Sequence, residues 1–194
     1  MGTKKIPSEI TLVDFNTIDG FLNSILTQAN AMEVHLRINN SLNQRLAPLF
    51  LGWVEHKDFA SERIAQNLAA PGLFRFADDV LSTAYVDAFQ ESKDNHQAML
   101  ITKNWTGSAD EKFGAEKSLC FKAGVNHQKC MAIVVDHNGT KTFVGTLNVG
   151  FAASPSPSNV DAAVNDVMVN WATLNTSPLV SWLDSNFKLS GPTI

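Results

Sequence analysis

The sequence has little cysteine, no long apolar run, and no surplus of positive charge. Cys120 and Cys130 are the only cysteines among 194 residues. They show neither C-x-x-C nor metal-ligand spacing, which excludes a disulfide-dense scaffold and a cysteine-built zinc centre. No apolar run reaches about 18 residues, so no segment reads as a membrane-spanning helix. Fifteen Lys and Arg against nineteen Asp and Glu give a net charge of −4. That balance lacks the basic footprint of a nucleic-acid binder. The motifs G-x-G-x-x-G, G-x-x-x-x-G-K-[ST] and G-x-S-x-G are also missing. Lys4 and Lys5 could open a signal peptide, but Pro7, Ser8, Glu9 and Asp14 interrupt any apolar core behind them. Ile6 stands where a myristoylation signal needs Ser or Thr. The expectation is a cytoplasmic protein with neither membrane nor nucleic acid as partner. The sequons at Asn39, Asn104, Asn138 and Asn175 then reflect composition only.

What is present is the composition of a globular domain, 44% apolar and 18% charged. The apolar spacing changes near residue 95. Before it, the stripe Ile18, Phe21, Leu22, Ile25 and Leu26 predicts a helix from about Thr17, capped by Asp14 or Asn16. Ala29, Met32 and Leu36 extend that stripe. Leu42, Leu46, Leu49, Phe50 and Trp53 predict a second helix over 41–54, with Pro48 inside it. A third opens at Asp58 or Ser61 and stops at Pro71-Gly72, and a fourth spans Leu73 to Phe89.

After residue 95 the pattern turns to strands. Residues 98–102 and 130–136 are apolar and β-branched. Asn138-Gly139 is the strongest short hairpin signal, because both residues tolerate positive φ. Residues 142–151 return as the partner strand, with Phe143, Gly145, Leu147 and Val149 on one face and Val144, Thr146 and Asn148 on a partly polar one. Ser154–Ser158 is a loop, and Val160 to Trp171 a helix with its stripe on the sheet. Ser177-Pro178 opens a last helix. The sum is α+β, an antiparallel sheet covered by helices with a helical N-terminal half. Residues 1–95 are expected to pack on or extend a sheet domain formed by 96–194.

The strand, tight turn, Val144-Gly145-Thr146-Leu147 strand, and helix entered through Ser158-Asn159-Val160-Asp161 resemble the C-terminal part of GAF domains. These are small sensory modules related in fold to PAS domains. The resemblance is confined to the hairpin–helix segment, residues 130–174. Between Thr17 and Gln97 the spacing shows no first strand pair where a simple GAF domain has one.

The resemblance implies a GAF/PAS-like fold and a ligand pocket on one sheet face, under the irregular segment 103–129. There Trp105 and Phe121 offer aromatic walls, and Asn126 and His127 offer polar direction. Asn148 joins them from the polar face of the hairpin. These five residues are the expected binding set for an unknown small molecule in a sensor that performs no chemistry. No cofactor and no metal are called for, since no two histidines stand four apart and His127 near Cys130 lacks two further ligands. The amphipathic N-terminal helices suit a homodimer, as in flanking-helix sensors, and only a short tail follows Trp182, so a stand-alone regulator is expected. Two other readings compete. Free methionine sulfoxide reductases share the GAF scaffold and use cysteines ten positions apart, as Cys120 and Cys130 are; they carry a further cysteine that this chain lacks. The other alternative is a structural homo-oligomer assembled through its helical half.

Overall fold

The computed structural model describes residues 3–40, 45–65, 75–76, 83–104, 124–152 and 178–194. After a short 3₁₀ turn at Pro7–Glu9 come α1 (Leu12–Gln28), β1 (Glu33–Asn39), β2 (Pro48–Glu55), α2 (Lys57–Ala65), β3 (Arg75–Phe76) and α3 (Thr83–Asn95). Then follow β4 (Leu100–Asn104), β5 (Val125–His137), β6 (Thr140–Ala152) and a helix at Pro178–Asn186, here α4. The six strands form one sheet in the order β3-β2-β1-β6-β5-β4. Every pairing is antiparallel.

The predicted hairpin is present. Asn138 and Gly139 both have positive φ, 56° and 82°, and the Asp136 carboxylate accepts the Gly139 N–H at 2.8 Å. This turn matches the right-handed twist of its two strands. The last helix begins at Pro178 as predicted and buries Leu179, Val180 and Leu183. The expected helix from Val160 to Trp171 and Cys120 lie outside the described residues.

The first half departs from expectation. The helix does not run on through Met32 and Leu36: it ends at Gln28, and Asn30 takes a φ of 48°. A left-handed residue just past a helix is a common stop, and asparagine adopts it more readily than most. Residues 33–39 are a strand, and so are residues 48–55, where a helix was expected. Pro48 occupies the first position of β2, where its missing N–H is tolerated. Arg75–Phe76 is likewise a strand, paired with Leu49 and Phe50, inside the stretch read as a fourth helix. The first strand pair therefore exists, as β1–β2. With β1 hydrogen-bonded to β6 on its other edge, the chain on both sides of residue 95 builds the same sheet.

Helix α1 starts earlier than expected. Thr11, not Asp14 or Asn16, is its N-cap, and Asp14 closes a capping box by accepting the Thr11 N–H at 2.8 Å. Burial alone would raise the Asp14 carboxyl, but the Lys5 ammonium and the Thr11 hydroxyl and N–H hold it below the ordinary carboxylate range. A depressed folded value stabilises the fold above the unfolded value near about 3.9, and that gain is lost as pH falls through the lower one. Asp14→Asn should cost about 1 kcal/mol at neutral pH in urea denaturation, with the gap to the parent closing in acid.

The sheet has two unlike faces. One carries Val34, Leu36 and Ile38 of β1 beside Val149 and Leu147 of β6, all buried. Helix α1 seats Ile18 and Leu22 against this face at Gly52, where any Cβ would come within 2.6 Å of Ile18. Helix α4 joins it, with Trp182 beside Phe21 of α1. The opposite face carries α2 and α3, through Phe59 against Trp53 and Tyr85 against Phe143. A register shift between Ile133 and Val134 moves Phe143 onto this second face, against the expected grouping with Gly145 and Leu147.

Candidate functional site

Strand β1 reads Glu33-Val34-His35-Leu36-Arg37-Ile38-Asn39, polar and apolar in strict alternation. A strand sends successive side chains to opposite faces, so the four polar groups line one face of the central strand. All four are buried, with Glu33, His35 and Asn39 at 0% exposure and Arg37 at 1%. Buried polar side chains of this size need partners, and the neighbouring strands supply several. Opposite His35 stand Trp53 of β2 and Asn148 of β6; opposite Arg37 stand Phe50 and Thr146. Cys130 of β5 lies in register with Asn148, and Gln128 with Gly150.

At one end of the belt the Glu33 carboxylate accepts from Gln128 Nε2 at 3.2 Å and lies 3.5 Å from His35 Nδ1. At the other end Tyr85 donates its hydroxyl to Asn39 Oδ1 at 2.5 Å, and Asn39 Nδ2 donates to the Phe143 carbonyl at 3.1 Å. Burial pushes the Tyr85 phenol well above its ordinary value; Arg37 opposes the shift and Cys130 adds to it. Tyr85 is therefore a permanent donor. In the middle, the Arg37 guanidinium sits 4.5 Å from the Phe50 ring centre, a cation–π contact. The Cys130 Sγ lies 3.3 Å from Asn148 Oδ1 and 3.5 Å from the Ala84 carbonyl oxygen, two acceptors for its one S–H.

Polar atoms on this face that make no hydrogen bond among the described residues include Trp53 Nε1, Thr146 Oγ1 and Asn148 Nδ2. Each is shielded from solvent, and leaving such a group unmet costs about 1–3 kcal/mol. The indole and amide N–H groups are donors, and the hydroxyl can donate or accept. Among the described residues, no group of three or more His, Cys, Asp and Glu is placed to bind a metal ion. No helix among them is long and apolar enough to cross a membrane.

Of the five expected binding residues, Asn148 lies in this belt. Trp105 and Phe121 fall outside the described residues. Asn126 stands in β5 at the register irregularity between Val125 and His127. His127 is half-buried and pairs with Phe151, one step out of phase with Gln128, so it shares the α1 face with Lys129 and Val149. The structure therefore does not bring His127 and Asn148 together. Cys130 is wholly buried, with its thiol turned to Ala84 and Asn148.

Glu33, His35, Arg37 and Asn39 escape the sequence reading because Ala29, Met32 and Leu36 extend the helical stripe across their segment. The period-2 alternation from 33 to 39 was the signal that marks them.

No family model and no curated protein sequence matches the chain. Solved structures do. A far-red cyanobacteriochrome photoreceptor aligns over 88% of this chain and 88% of its own, at 10% identity and a TM-score of 0.51. The GAF domain of a two-component sensor histidine kinase from Bacillus halodurans aligns over 80% of this chain and 91% of its own, at 12% identity and a TM-score of 0.44. The similarity thus extends well beyond the hairpin–helix segment into the N-terminal half, where β1 and β2 supply the strand pair that the resemblance required. With its sheet order, its two unlike faces and helices on both, the chain has a GAF-like α+β fold.

Proposed function

We propose that the chain is a non-catalytic sensor or regulatory module that binds one small molecule on the polar face of its sheet. The observation that carries this reading is the buried polar row of β1 with Trp53 Nε1, Thr146 Oγ1 and Asn148 Nδ2 unmet beside it. A core under selection for stability alone would replace such atoms with apolar ones, because each is a standing cost. A ligand that pairs with them converts that cost into affinity and selectivity. The shared fold with a photoreceptor supports a sensory setting. A cytoplasmic homodimer remains part of the reading, and light scattering is expected to give about twice the 21.2 kDa chain mass.

Native mass spectrometry of the purified protein, set beside its denatured mass, tests the binding reading. The expected result is a reproducible excess mass that disappears on denaturation. A clean native mass, together with no thermal shift in a screen of small metabolites, would overturn it.

A further inference from the structure

We infer that the ligand of this face is a planar ring bearing hydrogen-bond acceptors, an aromatic carboxylate being the simplest member of the class. This rests on the reading that the polar face binds a small molecule, and it adds what kind.

The first support is a wall of rings. Phe50 and Trp53 are stacked, with centres 5.5 Å apart and planes 21° from parallel. The His35 imidazole lies 5.4 Å from Phe50 and 5.3 Å from Trp53. Ring faces gathered on one side of a sheet reward a flat apolar ligand, by area and by stacking geometry.

The second support is the sign of the unmet groups. An indole N–H can only donate, and so can an amide NH₂. Trp53 Nε1 and Asn148 Nδ2 are therefore waiting for acceptors. The Asn148 amide stands with Oδ1 toward the Cys130 thiol, 3.3 Å away, which leaves Nδ2 as the unmet atom. Thr146 Oγ1 can serve either way, and Arg37, opposite it across the strand pair, is a donor at every position. The acceptors on this face already have neighbours: Glu33 Oε1 accepts from Gln128 and Oε2 lies beside His35 Nδ1, while Asn39 Oδ1 accepts from Tyr85. A ligand rich in N–H groups would meet donors with donors, leaving both sides unpaired.

The third support is spacing. Trp53, His35 and Asn148 are neighbours in one row across three strands. Adjacent strands lie about 4.8 Å apart, so the row spans about 10 Å, the length of a fused two-ring system with one substituent.

A matched pair of probes, titrated calorimetrically into the full chain, tests this. 2-Naphthoate carries acceptors only, and naphthalene-2-carboxamidine carries donors on the same ring. The naphthoate is expected to bind at least about tenfold more tightly. Asn148→Leu should weaken it by a similar factor. Thr146→Val should also weaken it while raising the melting temperature of the ligand-free protein, because an unmet hydroxyl is removed at constant volume. That opposite movement of binding and stability is a result that a merely structural threonine would not produce. Equal or tighter binding of the amidine would overturn the acceptor assignment, as would a naphthoate affinity unchanged in both variants. Binding of neither probe at about 1 mM, a ceiling near −4 kcal/mol, overturns it as well. The broader sensor reading is decided separately by native mass, which does not depend on the class of ring.

Discussion

Gly145→Ala is expected to cost at least about 3 kcal/mol, the upper end of the usual penalty for overpacking. Gly145 of β6 pairs with Ile38 of β1 at the centre of the sheet. A Cβ placed there would stand 2.1 Å from the Arg37 carbonyl oxygen and 3.0 Å from the Ile38 Cα. Both are backbone atoms held by the strand pairing, so neither can swing aside as a flexible side chain would. Relief requires β1 and β6 to separate, which opens the join between the two halves of the chain. Gly20→Ala is the internal control, since nothing lies within 4 Å of the corresponding Cβ in α1. It should be neutral or stabilise by about 0.5–1 kcal/mol, through the lower helix propensity of glycine. The urea midpoint should fall for Gly145→Ala and stay level or rise for Gly20→Ala. A Gly145→Ala protein as stable as its parent would mean that β1 and β6 do not pair in this register.

Glu33→Ala should cost about 3 kcal/mol, the second large effect. Glu33 is fully buried, accepts from Gln128 and lies beside His35. Truncation leaves the Gln128 amide without that acceptor and opens a hole at the same point, and the two penalties add. Glu33→Gln keeps the shape and one acceptor oxygen and should cost only about 1 kcal/mol. A double-mutant cycle with Gln128→Leu should show coupling between the two positions. Independent, additive effects would show that the pair does not act as a unit.

How much of this was legible in advance depended on how far apart the deciding residues lie. The β5–β6 hairpin was readable because its signals are local: β-branched runs flank an Asn-Gly turn whose own backbone preference sets the pairing. The last helix was readable for the same reason, from Ser177-Pro178. The first strand was not, because residues 29–36 satisfy two periods at once. Ala29, Met32 and Leu36 prolong the stripe of α1, while 33–39 alternate perfectly. Asn30, with its φ of 48°, is the residue that breaks the tie, and a single asparagine is a weak signal against a long apolar stripe. β2 was harder still. Leu46, Leu49, Phe50 and Trp53 have helical spacing, and the segment becomes a strand because β1 offers it an edge and Phe50 and Trp53 a shared face with His35.

The candidate site followed the same division. Asn148 could be placed on the polar face of β6 because the alternation within that strand is a property of the strand alone. His127 lies on the opposite face because β5 runs back to Val125 instead of starting at Cys130, so strand alternation reaches a residue expected in an irregular segment. The sequence by itself determined the α+β class, the hairpin, the closing helix and the polar character of one face of β6, all of which rest on neighbours within a few residues. Tertiary structure decided which polar side chains meet. Glu33 and Gln128 are 95 positions apart, and Tyr85 and Asn39 are 46 apart. Contacts at such separations leave no local period or turn for a sequence to show, and they exist only once the sheet has brought the strands side by side.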